Sequence, residues 1–358
     1  MSERGRLSAP GSLEGVTGVL GGTTARPPDA AAAFDGQPLA QLAAEHGLRR
    51  SATRPPVGEY LRQLWQRRHF MVAFATARNV AMYTEARLGQ LWQVLTPLLN
   101  AAVYYLIFGL ILDTKRGVPD FISFLVTGIF VFNFTMRSFI TTSRVINDSL
   151  PLIRALHFPR ASLPIAYVLI ELQQLVLSMA VLVVIVLIQG EPITWYWLLV
   201  IPAMALQSLF NVGTGLLLAR LGAGLDDVSQ LLPFIVRAWM YASGVMFSIQ
   251  TISTLRQHPT ITLILQLNPA ALYIDLVRYG LLEKYRVSMP GTKPYNAHLC
   301  HLYYTASAKH AWANYLSAYC HATVTVSQMW IYGAAWAVLA VLAGFFVFWE
   351  AEARYGRG

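Results

Sequence analysis

Three ionisable residues sit inside long apolar stretches, and they are the first place to look for chemistry. Arg137, Glu171 and Arg237 each fall about six residues from the expected cytoplasmic end of their stretch. At 1.5 Å per residue, that spacing puts all three about 9 Å deep. Charge in hydrocarbon is costly, so such residues pair with one another or face water. Glu171 is therefore expected to pair with Arg137 or Arg237, either as a polar lining at a cytoplasmic mouth or as glue between helices.

Aromatic side chains form a second set. Tyr104, Tyr105 and Phe108, then Phe124, Phe130, Phe132 and Phe134, recur in the outer halves of two neighbouring stretches. Such rings can stack on sugar rings along a pathway, or form an interfacial belt with core packing. The chain's two cysteines, Cys300 and Cys320, lie in one polar segment beside His298, His301, His310 and His321. A disulfide there would close a loop of about 20 residues and add about 3 kcal/mol. Free thiols and a metal site remain open, although the spacing matches no standard zinc pattern. Asp226-Asp227 is a lone acidic pair. G-x-x-x-x-G-K-[ST], G-x-S-x-G and H-E-x-x-H do not occur, so no catalytic residue, metal ligand or cofactor site is assigned.

The elements that position these groups are six apolar stretches: Trp92–Leu112, Phe121–Ser143, Ile165–Gln189, Trp195–Leu218, Leu231–Gln250 and Trp330–Glu350. Each has the roughly 20 residues a helix needs to cross a bilayer. Hydrophobic residues make up 55% of the 358-residue chain and charged residues 13%, half the charge of an ordinary soluble domain at about 25%. The expected fold is thus an all-α polytopic membrane protein. The formal charge of +9 concentrates in residues 1–91 and in the loops 144–164 and 219–230. This puts both termini in the cytoplasm and explains the basicity without a nucleic-acid partner. No cleavable signal peptide is expected.

Between the spans the composition changes. Residues 1–56 read as a disordered cytoplasmic tail. Residues 57–90 alternate aromatics with arginines, as in an amphipathic helix lying at the membrane interface; Trp65, Arg67, Arg68, Arg78, Tyr83 and Arg87 carry that pattern. The 147–158 segment repeats apolar residues every three to four positions, which predicts a short cytoplasmic helix. Within 251–287, two half-length apolar runs joined by Asn268-Pro269 suggest a re-entrant pair, tolerated only where protein or a cavity surrounds it. Residues 288–329 form an outside insertion and 351–358 a cytoplasmic tail.

Several motifs together resemble the permease subunit of type-2 ABC transporters, in the branch exporting lipid-linked polysaccharides such as O-antigen, teichoic acid and galactan. Leu88-Gly89-Gln90-Leu91-Trp92, then Thr96-Pro97-Leu98 and Phe108-Gly109, is similar to the family's L-G-x-x-W lead into its first span. Gly128–Phe134, Leu152-Ile153 with Phe158-Pro159-Arg160, Asp227–Phe234, Leu267-Asn268-Pro269 and Val277-Arg278-Tyr279 resemble further family marks in the same order. The chain departs at Ala155–His157, at Ser243-Gly244-Val245, in its long N-terminal tail and in its 288–326 insertion.

The resemblance implies a homodimer in the bacterial inner membrane with two separate ATP-binding cassette subunits, which bind ATP and magnesium. The 147–158 helix would couple to them through Asn147, Leu150, Leu152, Ile153, Arg154, His157 and Phe158. Residues 60–88 would act as an interface gate. Lipid-linked polysaccharide would pass the aromatics in contact with membrane lipid. The alternatives are the same fold exporting a drug or simple lipid, or a membrane-embedded glycosyl- or acyltransferase, for which only Asp226-Asp227 is available.

Overall fold

Long runs without a polar face can bury their backbone only as helices in lipid, and helix dominates here. The computed structural model describes residues 56–84, 87–89, 91–111, 120–155, 158–249, 259–287 and 324–352, all within one compact unit, Arg54–Gly358. In chain order the helices are α1 (Val57–Gln66), α2 (Arg68–Thr84), α3 (Leu91–Tyr104), α4 (Phe121–Asp148), α5 (Leu150–Ala155), α6 (Ser162–Ile188), α7 (Val200–Gly222), α8 (Asp226–Ala242), α9 (Pro259–Gln266), α10 (Pro269–Leu281), α11 (Glu283–Val287) and α12 (Val326–Ala351).

Among the described residues, α4, α6, α12 and the run Trp195–Gly222 are long and apolar enough to cross a membrane. α4 is buried along most of its length and forms the core, whereas α12 buries only a strip. α7 and α12 cross with no room for side chains. A Cβ on Gly344 would land on the Gly213 carbonyl oxygen, and one on Gly213 would meet the Ala340 backbone. Small residues at such a crossing let backbones touch, which is how packing is gained in lipid. Thr325 starts α12 with a capping box to Gln328, satisfying two otherwise unpaired donors.

Two expected spans take a different form. The first continues from α3 into a seven-residue π-helix, Tyr105–Ile111, with Pro97 inside α3. The fifth, expected to reach Gln250, stops as a helix at Ala242, and Gly244 adopts φ +63°, a left-handed conformation that glycine alone takes without penalty. Where the re-entrant pair is expected, two helices, Thr260–Gln266 and Pro269–Leu281, meet at a bend of 71°. Asn268 shapes the bend: its Oδ1 accepts from Ala270 N at 3.1 Å and Trp239 Nε1 at 2.8 Å, and its Nδ2 donates to Ser243 Oγ at 3.0 Å. The 57–90 segment is two helices rather than one, broken at Arg67.

Candidate translocation and coupling site

Helices α2, α3, α4 and α6 line a half-open polar cleft. Gln93 and Asn100 project from α3, Asn133 and Arg137 from α4, and Glu171 and Gln174 from α6. Two of the three expected intramembrane charges therefore meet here, but not as an ion pair. Arg137 Nη1 donates to Gln174 Oε1 at 2.6 Å, and Glu171 Oε2, in a side chain only 7% exposed, has no hydrogen-bond partner. The helix boundaries explain the difference. α4 runs on to Asp148 and α6 begins at Ser162. Arg137 thus lies eleven residues from its helix end, level with Gln174 at twelve rather than Glu171 at nine. Arg237 is exposed on α8 and pairs with neither.

An amide ladder ties the cleft wall to α2. Gln93 Nε2 donates to Asn79 Oδ1 at 3.5 Å, Asn79 Nδ2 to Gln173 Oε1 at 3.3 Å, and Gln173 Nε2 to Thr76 Oγ1 at 3.0 Å. Tyr83, from the end of α2, completes the wall. Of the other expected interface residues, Trp65 is 69% exposed with the Arg68 guanidinium 5.0 Å from its ring; Arg67 closes α1, and Arg78 and Arg87 are exposed.

The expected pathway aromatics of α4 are all core residues: Phe124, Phe130, Phe132 and Phe134 are each buried in one cluster, and Phe130 and Phe134 also border the cleft. Phe132 packs edge-on against Trp239 at 5.7 Å, and Phe124 lies under a guanidinium 3.3 Å from its ring centre. Tyr105 is half-buried in the π-helix. The side chains of Tyr104 and Phe108 lie outside the described residues, as do His157, Cys300 and Cys320.

The guanidinium over Phe124 belongs to Arg278, which is 1% exposed and which residue chemistry alone did not single out. All five of its donors are used. Nε and Nη2 donate to Phe124 O, Nη2 also to Val245 O at 2.8 Å, and Nη1 to Gly244 O at 2.9 Å and Asp275 Oδ1 at 3.3 Å. Asp275 also accepts from Tyr285 Oη at 2.8 Å. Arg278 therefore holds the broken end of α8 against α4 and α10. Its sequence signals are a lone arginine in the apolar run Ala271–Leu282 and its place in the family mark Val277-Arg278-Tyr279.

On the opposite face, α4 ends and α5 begins. Arg144 Nη2 reaches Ser229 O at 3.0 Å and Asn147 Nδ2 reaches Gly222 O at 3.2 Å, tying this end of α4 to the α7–α8 turn. Asn147 thus belongs to the end of α4, and Ile153 of α5 is buried with Val145, Ile146 and Tyr60, with Leu152 and Phe158 packed against that cluster. Leu150 is half-buried; Pro151, Arg154 and Ala155 form the exposed tip. Tyr60 Oη donates to Glu352 Oε2 at 2.9 Å and accepts from Ala161 N at 3.1 Å, while Arg160 N donates to Glu352 Oε1 at 3.0 Å and Arg160 Nη1 to Glu352 O. This latch joins α1, the α5–α6 elbow and the end of α12. Residues 292 positions apart leave no signal of it in one sequence.

The region holding the cleft and the α5 elbow, residues 71–282, matches the ABC-2 type transporter family. The chain belongs to that family. This ABC-2 chain is also similar to the O-antigen export system permease protein RfbA of Myxococcus xanthus, at 26% identity over 209 residues, 58% of this chain and 78% of that protein. A Klebsiella pneumoniae protein of the same name is 26% identical over 174 residues, 46% of this chain and 64% of that protein. The family match begins inside α2 and ends just past α10, so the latch residues Tyr60 and Glu352 fall outside it.

Proposed function

We propose that this ABC-2 chain is the permease subunit of a polysaccharide exporter. The carrying observation is the similarity to O-antigen export permeases from two bacterial genera, beside a family match over residues 71–282. On this reading two copies face each other across a pathway in the inner membrane and export a lipid-linked glycan. Two separate ATPase subunits bind ATP and magnesium and dock on the face that carries α5. The exposed tip at Pro151, Arg154 and Ala155 is the contact they move, while Ile153 transmits that movement into the chain's own core.

Six crossings with both termini cytoplasmic fit the hydrogen bonds between ends. The α5–α6 elbow, the α7–α8 turn and the end of α12 are tied to one face through Tyr60, Asn147 and Arg160. α4 and α7 therefore run toward that face and α6 and α8 away from it. On this reading α4 starts at the far side, and α3 with its π-helix carries the chain there. Deleting the gene should abolish surface polysaccharide, and affinity purification of the chain should bring down a separate ATPase. Intact surface polysaccharide in the deletion strain would refute the reading.

A further inference from the structure

The cleft between α2, α3, α4 and α6 holds more polarity than packing requires. Polar groups in hydrocarbon are expensive and persist where they pair or serve a pathway. Arg137 is partnered by Gln174 and Asn79 lies in the ladder to α2, but Glu171, 93% buried, keeps Oε2 without a partner while lining the cleft. An unpaired buried acceptor on a cleft wall calls for a donor, from water or from a ligand.

The chemistry of that donor follows from its surroundings. A free anion such as phosphate is disfavoured because Glu171 shares the cleft. A simple cation is disfavoured because Arg137 does. What fits one carboxylate, one guanidinium and the amides of Gln93, Asn100 and Asn133 is a neutral group that donates and accepts hydrogen bonds at adjacent positions. Vicinal hydroxyls do this. The half-buried ring of Tyr83 also borders the cleft, a flat apolar face suited to the C–H face of a pyranose.

We propose that this intra-protomer cleft binds one neutral glycosyl unit, with a sugar hydroxyl donating to Glu171 Oε2 and the amides of α3 and α4 completing the contacts. The proposal rests on the polysaccharide-export reading and assigns the sugar to the exported glycan. Through Gln93, Asn79 and Gln173 the occupied wall is continuous with α2, so the bound sugar and the interface helix share one hydrogen-bonded frame.

The test uses the full chain in lipid nanodiscs and octyl β-D-glucopyranoside below its micellar concentration as the probe. Octyl tri(ethylene glycol) ether, with the same tail and no sugar ring, is the control. Saturable binding of one glucoside per chain is expected, with none for the ether. Glu171→Leu and Asn133→Leu should each weaken glucoside binding about tenfold or more, a loss of about 1.4 kcal/mol, with thermal unfolding as the folding check on each. Equal binding of glucoside and ether, or both folded variants binding the glucoside as the parent does, would overturn the site. In cells, Glu171→Leu should lower surface polysaccharide about tenfold in a deletion strain. Lost glucoside binding with undiminished export would overturn the assignment to the cargo. The deletion strain itself reports on the export reading, so the two failures are told apart: unchanged surface polysaccharide there defeats that reading, while the glucoside arm still decides the site.

Discussion

Arg278 concentrates the strongest residue-scale effect. Its five donors satisfy carbonyls of Phe124, Gly244 and Val245 and the Asp275 carboxylate. Removing one partner of a buried charged pair costs about 3–5 kcal/mol, because the other charge is left unpaired. Arg278→Leu should therefore lower the yield of monodisperse protein sharply, and Arg278→Lys should rescue little, since an ammonium cannot fork across two backbone segments. Size-exclusion profiles and thermal unfolding in detergent check both. Glu352 gives a pH effect of known sign. Burial raises its carboxyl above the ordinary value of 4.5, against the lowering by the Arg160 backbone, Tyr60 and the Arg160 charge. The folded state thus holds the proton more tightly than the unfolded chain. Its stabilising contribution is complete below about 4.5 and fades as pH rises through the folded value. Glu352→Gln, which fixes the neutral form, should flatten the fall in unfolding temperature with rising pH and converge with the parent at low pH. Identical slopes in both proteins would count against the buried carboxyl.

At the scale of elements, the α5 elbow separates two roles that its periodicity merges. Apolar spacing at Ile146, Leu150 and Ile153 predicts an amphipathic helix, and that much is legible because it depends only on local residue order. Which face meets a partner is not, because burial of Ile153 is decided by Tyr60 and by Phe348 of α12, far off in sequence. Pro151→Asp, at the exposed tip, should leave unfolding temperature near the parent's and cut ATP-driven export at least about tenfold in vesicles with the partner ATPase. Ile153→Ala should instead destabilise the chain by about 2–5 kcal/mol through a lost core side chain. Reversed effects would put the ATPase contact elsewhere. The α8 break has the same logic. The apolar run to Gln250 is readable as a span, but the helix ends at Ala242 because Arg278, from α10, takes the Gly244 and Val245 carbonyls that a continuing helix would use.

On the scale of the whole molecule, lipid as solvent explains why four of the six expected spans were legible: crossing requires only length and apolarity. The cleft was not, because it depends on where helix ends fall and hence on depth to within one turn. Topology lies between the two, since charge bias suggests it and the latch constrains it. Tyr60 bonds to Glu352 and Ala161, so the first described helix, the α5–α6 elbow and the end of α12 meet at one place, which fits the even number of crossings proposed above. Single cysteines in a Cys300→Ser/Cys320→Ser background test this directly. Gly224→Cys, in the exposed α7–α8 turn, and Pro151→Cys, at the elbow tip, should react with a thiol reagent only after the membrane is permeabilised. Ile193→Cys, 73% exposed between α6 and α7, should react with an impermeant reagent on intact cells whose outer barrier has been opened. If Ile193→Cys and Gly224→Cys label from the same side, α7 does not cross. The face carrying α5 then loses its claim to the cytoplasm, and with it the placement of the ATPase beneath the elbow.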